Sequence, residues 1–488
     1  MNFSPVHFIA VPLFAAFLIP IVGRFSKEAV KLIPGLVLLY LSYVAISLYP
    51  IALQKPIVEI IAGFKPPFGI SLYFGPLAAF LVTMVMLIGL VIWLYSYKFI
   101  IREPLEKYYM LFMLVIAGAT GIMITGDIFN MFVFLEITSI AAYSLTAFLR
   151  DKDGAEAAFK YLLIGSFSST FYLLAVMLIY ANTGTLNIAD IAAKMQTVPN
   201  QPKIFIMILF LVGFGIESEL FPLNGWAPDA YSQAPSPIGG VFGGIVVKAS
   251  TYAMMRFAFV LFNFHSMFEL ILVLGVITML IAEMSAMRQQ QIKRMLAFSS
   301  IGQMGLIMIA FGVGTDASVR AALFQVFNHA VIKTLLFLAA GYLVFHSGSK
   351  KISALDGLGH NKPITSFFFA LGALAIIGLP PFSGFWSKLY ILTSVAKGGF
   401  LASVVLILFS GIIEAIYYLR VVGRLYFKKD VSQDNVRRTP ISGLVAMGIL
   451  AVVILYVGLY PHQIIDLIKP AAHDLVDKAA YIKYGLLH

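Results

Sequence analysis

The chain has 488 residues, 60% of them hydrophobic and only 12% charged, where a soluble globular protein is usually about a quarter charged. A water-soluble domain is therefore excluded, and the apolar runs are continuous rather than alternating, which excludes a β-barrel and predicts an all-α polytopic membrane protein. There is no cysteine, hence no disulfide, thiolate metal site or cysteine-ligated iron–sulfur cluster in this chain, and the net charge of +11 is scattered over short loops rather than gathered on one face that would hold nucleic acid.

Met1 to Val22 lacks a positive n-region and a small-residue cleavage site, so it reads as a first spanning helix rather than a cleaved signal. The apolar runs predict about fourteen spans, near 6–22, 32–53, 71–97, 108–125, 128–149, 159–182, 203–233, 237–262, 267–287, 297–313, 318–346, 364–396, 400–427 and 440–460. The seventh and twelfth are too long for uniform helices. Each carries a Pro/Gly break, around Pro222 to Pro228 and around Gly378 to Gly384. The stretch from Pro461 to His488 is predicted to be an amphipathic tail lying along the membrane surface.

Lysine and arginine set the expected orientation. With the N-terminus on one side, the loops of the opposite side hold twenty basic residues and those of the same side six, namely Lys55, Lys65, Lys194, Lys203, Arg320 and Lys397. The rich side is expected to be cytoplasmic, placing both termini of a multi-pass cell-membrane protein outside.

A faint internal repeat accompanies the breaks. Pro222-Leu-Asn-Gly-Trp226 is similar to Pro381-Phe-Ser-Gly-Phe-Trp386, with one residue inserted. Each break falls in the fourth span of a group of five, so spans 4–8 and 9–13 match as five-helix units. A unit with an odd number of crossings gives adjacent copies inverted topology, an arrangement used by transporters. The expected division is N-terminal helices over 1–107, repeats over 108–263 and 264–427, and a last helix with the tail over 428–488.

Ionisable residues inside the apolar runs are Glu136, Glu217, Glu219, Lys248, Glu283, His329, Lys333, Lys388, Glu414 and Arg420, with Asp229 in the first break as a further candidate. Charges at such depth mark ion pathways by default. Lys248 is the only charge between Pro237 and Arg256, too deep to snorkel. His329 and Lys333, four apart, share a helix face and suit a relay, with no acid nearby in sequence. Glu136 suits either a relay or a structural partner for one lysine. Glu414 and Arg420, six apart, fit interfacial anchors equally well. Glu283, near the cytoplasmic end of its helix, is expected to be solvated. Glu217 and Glu219, two apart, should project to opposite faces, one toward an internal path and the other toward a neighbouring subunit. No phosphate-binding glycine loop occurs and the histidines lack metal-ligand spacing, so no cofactor is expected in this chain.

These residues lie in recognisable motifs: F-L-E-I-T-S-I-A-A-Y-S-L around Glu136, F-P-L-N-G-W-A-P-D-A-Y from Phe221, and A-P-S-P-I-G-G-V-F-G-G-I-V-V-K ending at Lys248. K-R-M-L-A-F-S-S-I-G-Q-M-G from Lys293, N-H-A-V-I-K-T-L-L-F from Asn328 and G-L-P-P-F-S-G-F-W-S-K ending at Lys388 follow. Over about Tyr108 to Phe427 the chain resembles the antiporter-like subunits shared by respiratory complex I, Mrp-type sodium/proton antiporters (D-type subunit) and membrane-bound hydrogenases (H-type subunit). The resemblance implies fourteen helices in two inverted five-helix repeats, with helices 7 and 12 broken. It implies ion translocation, of protons or of protons against sodium, in a multisubunit complex with other membrane subunits and lipid around the chain.

Residue by residue, Glu136 matches the family's fifth-helix glutamate, Lys248 its eighth-helix lysine, His329 and Lys333 its central polar pair, and Lys388 the lysine at the second break. One position departs. Glu217 stands where the family usually places a lysine that pairs with the fifth-helix glutamate. Two carboxylates there would share one proton or hold a sodium ion transiently near Glu136 and Glu217. A scaffold with an impaired relay, a quinone-contacting subunit of a redox enzyme, and a stand-alone carrier are the alternatives.

Overall fold

The computed structural model describes residues 3–262, 264–428 and 438–486, so Lys429 and Arg437, two of the basic loop residues, and the far end of the tail lie outside the described residues. Nearly everything described is helical, as backbone satisfaction within a bilayer requires. The first two helices are α1 (His7–Val22) and α2 (Lys27–Gln54), and a short hairpin follows. Its strands, β1 (Ile57–Ile60) and β2 (Ser71–Phe74), pair antiparallel with Ile57 opposite Phe74. The all-α class stands, but the start of the third span, expected at residue 71, is corrected, since residues 71–74 are strand. Gly75 and Pro76 are the reason: proline is preset for the first position of a helix, so α3 (Pro76–Phe99) starts there.

The helices α4 (Leu105–Ile124), α5 (Ile128–Thr146) and α6 (Lys152–Thr183) come next, then a short α7 (Ile188–Lys194). Asp127 and Asp151 cap α5 and α6, their carboxylates accepting the backbone N–H of Asn130 and Gly154. The first predicted break separates α8 (Asn200–Glu217) from α9 (Ala227–Gln233). Then α10 (Ser236–Phe262) runs with π-helical turns at Phe242–Val246 and Ala258–Phe262. The helices α11 (His265–Met287), α12 (Ile292–Gly312) and α13 (Asp316–Ser347) follow. The second break separates α14 (Pro363–Ile377) from α15 (Ser383–Lys397), and α16 (Leu401–Phe427) and α17 (Ile441–Leu459) complete the bundle. Among the described residues, twelve helices are long and apolar enough to cross a membrane, while α1 and α14 are apolar but shorter. Length and apolar composition alone thus mark twelve candidate spans.

Position in the bundle decides what a polar residue can mean. The most apolar window of α10 is 100% buried, and those of α12 and α13 are 94% and 89% buried, against 33% for α6. Polar side chains on α10, α12 and α13 therefore face protein, and need partners there. The two helices α11 and α12 meet along glycines. A Cβ on Gly305 would stand 2.5 Å from the Met279 nitrogen and 2.6 Å from the Gly275 oxygen, so only hydrogen permits this backbone contact.

The tail forms α18 (Pro461–Val476) and α19 (Lys478–Leu486), and it does more than lie on a surface. Arg256, 0% exposed on α10, donates through Nη2 to Asp474 Oδ2 at 2.7 Å and through Nη1 to the Asp474 carbonyl at 2.9 Å. The rings of Tyr73, Tyr252 and Tyr481 surround the guanidinium at 5.8, 5.6 and 4.7 Å from their centroids. Asp474 also accepts from the Tyr73 hydroxyl and from the Leu77 backbone N–H in the first turn of α3.

Candidate functional site

The buried ionisable groups form a string through the middle of the bundle, beginning on α5. Glu136 is half-buried and accepts a hydrogen bond from Ser169 of α6. Glu217, the last residue of α8, is 1% exposed and is an electrostatic neighbour of Glu136 and Ser139, with its Oε2 unpaired among the described residues. Among the described residues no lysine acts on Glu217 beside Glu136.

Glu219 corrects the helix-face argument. The helix ends at Glu217, and Glu219 sits in the break with φ of 64°, a left-handed conformation uncommon for a non-glycine residue. That turn carries it inward rather than toward a neighbouring subunit. Its carboxylate is fully buried, both oxygens lack a hydrogen-bond partner among the described residues, and its charged neighbours are Lys248 and Lys333. The Tyr231 hydroxyl, likewise without a partner at bonding distance, faces it.

Lys248 follows the first π turn of α10 and reaches α13, where Nζ lies 2.6 Å from His329 Nδ1, and also 3.1 Å from Met304 Sδ. With the ammonium donating to Nδ1, the imidazole hydrogen sits on Nε2, which faces Ser300 Oγ at 3.2 Å. One turn along α13, Lys333 donates to Ser299 Oγ at 2.7 Å, to the Tyr418 hydroxyl at 3.0 Å and to the Leu296 carbonyl at 3.3 Å. The expectation that no acid stands near this pair is corrected by the fold: Glu219, Glu283 and Glu414 are all its charged neighbours, brought in from other helices.

Beyond Lys333 the string reaches the second break. Glu414 is 1% exposed on α16 and pairs with Lys388 of α15, so the interfacial reading of Glu414 does not hold. Lys388 also donates to the carbonyl of Ile377 at 3.2 Å, the last residue of α14. An interrupted helix leaves such carbonyls without intrahelical partners, and this one is taken by the lysine. The other Glu414 oxygen accepts from Gln303 Nε2 at 2.7 Å; Gln303 in turn accepts from Gln325, which accepts from Ser387 Oγ at 2.6 Å.

Packing decides the remaining candidates. Glu283 is 1% exposed rather than solvated and accepts from the Tyr417 hydroxyl at 2.8 Å, because α16 packs over the end of α11. Arg420 does lie at the edge, exposed and donating to the carbonyls of Met287 and Gln289 at the end of α11. Asp229 is off the string, tying α9 to Lys160 of α6 and Arg294 of α12. Sequence reasoning misses Ser299, Ser300, Gln303, Gln325 and Tyr418; for the first four the available signal is a polar residue on a deeply buried helix, whereas Tyr418 lies on the largely exposed α16. Among the described residues no three His, Asp or Glu side chains gather as a metal-holding group.

Broken helices beside buried acids, lysines and a histidine are the marks of an antiporter-like membrane protein. The chain belongs to the family described as "NADH:quinone oxidoreductase/Mrp antiporter, TM", which matches residues 125–414. The N-type subunit of an NADH-quinone oxidoreductase from Desulforudis audaxviator is 34% identical over 486 residues, 95% of this chain and 97% of its own length. The D-type subunit of a Na(+)/H(+) antiporter from Alkalihalophilus pseudofirmus is 34% identical over 352 residues, 71% of this chain and 70% of its own. Among solved structures, a chain of the membrane-bound sulfane sulfur reductase, an archaeal respiratory membrane complex, is similar with a TM-score of 0.94 at 39% identity, over 99% of this chain and 100% of that one. A chain of the Mrp complex from Dietzia sp. shares the fold, with a TM-score of 0.91 at 24% identity over the whole of both chains.

Proposed function

We propose that this chain is an ion-translocating subunit of a multisubunit membrane complex, without a redox centre of its own, and that protons move along Glu136, Glu217, Glu219, Lys248, His329, Lys333, Glu414 and Lys388. The observation that carries the reading is the series of acids and bases set inside the bundle on α5, α8, α10, α13, α16 and α15, with direct contacts at Lys248–His329 and Lys388–Glu414. Buried charges are costly, and a bundle stable without transport has no use for so many in one line.

In this reading Glu136 and Glu217 share a proton, or exchange it for a sodium ion, where a lysine–glutamate pair would otherwise sit. Lys248 passes its proton to His329 Nδ1 as the hydrogen on Nε2 leaves toward Ser300. Lys333 receives through the Ser299 and Tyr418 hydroxyls, and the Glu414–Lys388 pair at the second break hands the proton outward. The two breaks mark inverted five-helix units over 108–263 and 264–427. Both termini lie outside, on the lysine- and arginine-poor side. Relatives named as belonging to an NADH-quinone oxidoreductase and to a Na(+)/H(+) antiporter support the role of the chain, as does the sulfane sulfur reductase chain.

Ion flux in proteoliposomes holding the assembled complex tests the proposal. Lys248→Ala and Lys333→Ala should each bring flux to background while the complex still assembles, and the isolated wild-type chain should be inactive. Undiminished flux in both variants would overturn the relay. Substantial flux from the isolated chain would make it a stand-alone carrier instead.

A further inference from the structure

We propose that the cavity between α13, α15 and α18 binds an anionic phospholipid, its phosphate at the basic rim and an acyl chain on the apolar floor. The cavity measures about 430 Å³, within the range of small-molecule sites. Six basic residues stand in the loops of the lysine- and arginine-poor side, and two of them, Arg320 and Lys397, meet here, joined by His462 from the tail. Tyr390 and Thr393 add polar groups, and no acid lines the cavity. Its floor is apolar, formed by Ala321, Phe324, Ile465 and Ile468.

The charges around the cavity select an anion. Asp316, one turn back on α13, accepts from Arg320 Nη2 at 2.9 Å and orients the guanidinium, whose other nitrogens have no partner among the described residues. The Lys397 ammonium and the His462 ring make no hydrogen bond or ion pair there either. On α18, Asp466 and Lys469 are both exposed, outside the cavity wall, and offset one another. With Asp316 set against Arg320, Lys397 stays uncompensated, and a protonated His462 adds to it. A cation therefore meets net repulsion and an anion net attraction. A guanidinium fork beside a point-charge ammonium suits phosphate oxygens. Surface lysines alone are simply solvated; here the floor decides. A free phosphate leaves Phe324 and Ile468 facing water, whereas a lipid covers them with methylenes while its headgroup stays at the rim. Leu389 and Leu467, each next in sequence to a lining residue, and Leu401 at the start of α16 are 37%, 42% and 66% exposed, so the flanking surface is of the kind a bilayer covers. None of the lining residues belongs to the relay, so the site stands or falls apart from ion transport.

The test is photolabelling of the assembled complex in phosphatidylcholine vesicles that contain a trace of phosphatidylglycerol bearing a diazirine on one acyl chain. Peptides of α13 and α18 around Phe324 and Ile468 should be labelled, about tenfold more than by phosphatidylcholine carrying the same diazirine. Arg320→Gln with Lys397→Gln should bring labelling down to the phosphatidylcholine level. Ala317→Trp is a second, steric variant: Ala317 is exposed and lines the cavity, so the larger side chain should fill the mouth and abolish labelling with every charge kept. Lys194→Gln, whose ammonium pairs with Asp190 on the same side of the membrane, should change nothing. Excess inorganic phosphate at constant ionic strength should not compete; loss of labelling under it would make the site one for a free anion and overturn the lipid. Equal labelling by the two lipids, labelling that survives both variants, or labelling confined to a neighbouring subunit would overturn the proposal as well.

Discussion

At the scale of single residues, the pairs at the two ends of the string make different demands. Lys388 and Glu414 compensate one another, with Gln303 and the Ile377 carbonyl completing the shell. Removing one partner of a buried pair strands the other, at about 3–5 kcal/mol. Lys388→Met should therefore lower the melting temperature of the complex, and Lys388→Met with Glu414→Met should recover most of it while ion flux stays absent. Recovery of flux together with stability would mean that the pair is only structural. Glu136 and Glu217 have no cation between them, so their replacement reads out function more directly. Glu217→Gln should leave assembly intact and change the rate of ion flux and its pH profile; an unaltered profile at an unaltered rate would remove the acid pair from the mechanism.

Which of these residues the sequence reveals follows from physics as well. Lys248, His329 and Lys333 stand out in apolar runs because a charge at that depth has no ordinary excuse. Glu283 is visible in the same way, but its distance along α11 suggests water, and only the packing of α16 over that end buries it beside Tyr417. Glu219 is misplaced when helical spacing is extended two residues past the end of α8, into a left-handed turn. The glutamines Gln303 and Gln325 give no signal until α12 and α13 are seen to be internal.

At the scale of elements, glycines and prolines carry most of what is legible. Both helix breaks fall where Pro and Gly interrupt the apolar pattern, between Glu217 and Ala227 and between Ile377 and Ser383. The hairpin β1–β2 is hidden because four residues before Gly75 and Pro76 read as easily as the start of a helix. The α11–α12 contact offers a sharp test of packing. Gly275 faces the Gly305 oxygen and the Ile309 nitrogen, each 2.8 Å from where a Cβ would stand. Those are backbone atoms in a rigid helix and cannot turn aside. Gly275→Val should force the helices apart and shift Glu283, one turn beyond Met279, from Tyr417, so assembled complex should fall sharply in membrane extracts. Gly423→Ala, where a Cβ meets nothing within 4 Å, serves as the control and should assemble normally. Equal yields of the two variants would show the seam to be loose.

At the scale of the whole molecule, the tail joins elements remote in sequence. Asp474 meets the end of α10 through Arg256, β2 through Tyr73 and the start of α3 through the Leu77 N–H. Amphipathic periodicity discloses a surface-seeking helix in the sequence, but not this anchor, since Arg256 and Asp474 are 218 residues apart. The same α10 carries Lys248 two turns before Arg256, so the tail and the relay share one rigid support. Asp474→Ala leaves a guanidinium buried among three tyrosine rings with only a backbone carbonyl as acceptor. The expected loss is about 3–5 kcal/mol, and residues 461–486 should become accessible to protease in the folded complex. Asp474→Asn keeps an acceptor and should fall between the two. If the alanine variant keeps its tail protected and its melting temperature unchanged, the aromatic cage alone holds Arg256, and the ion pair is incidental to docking.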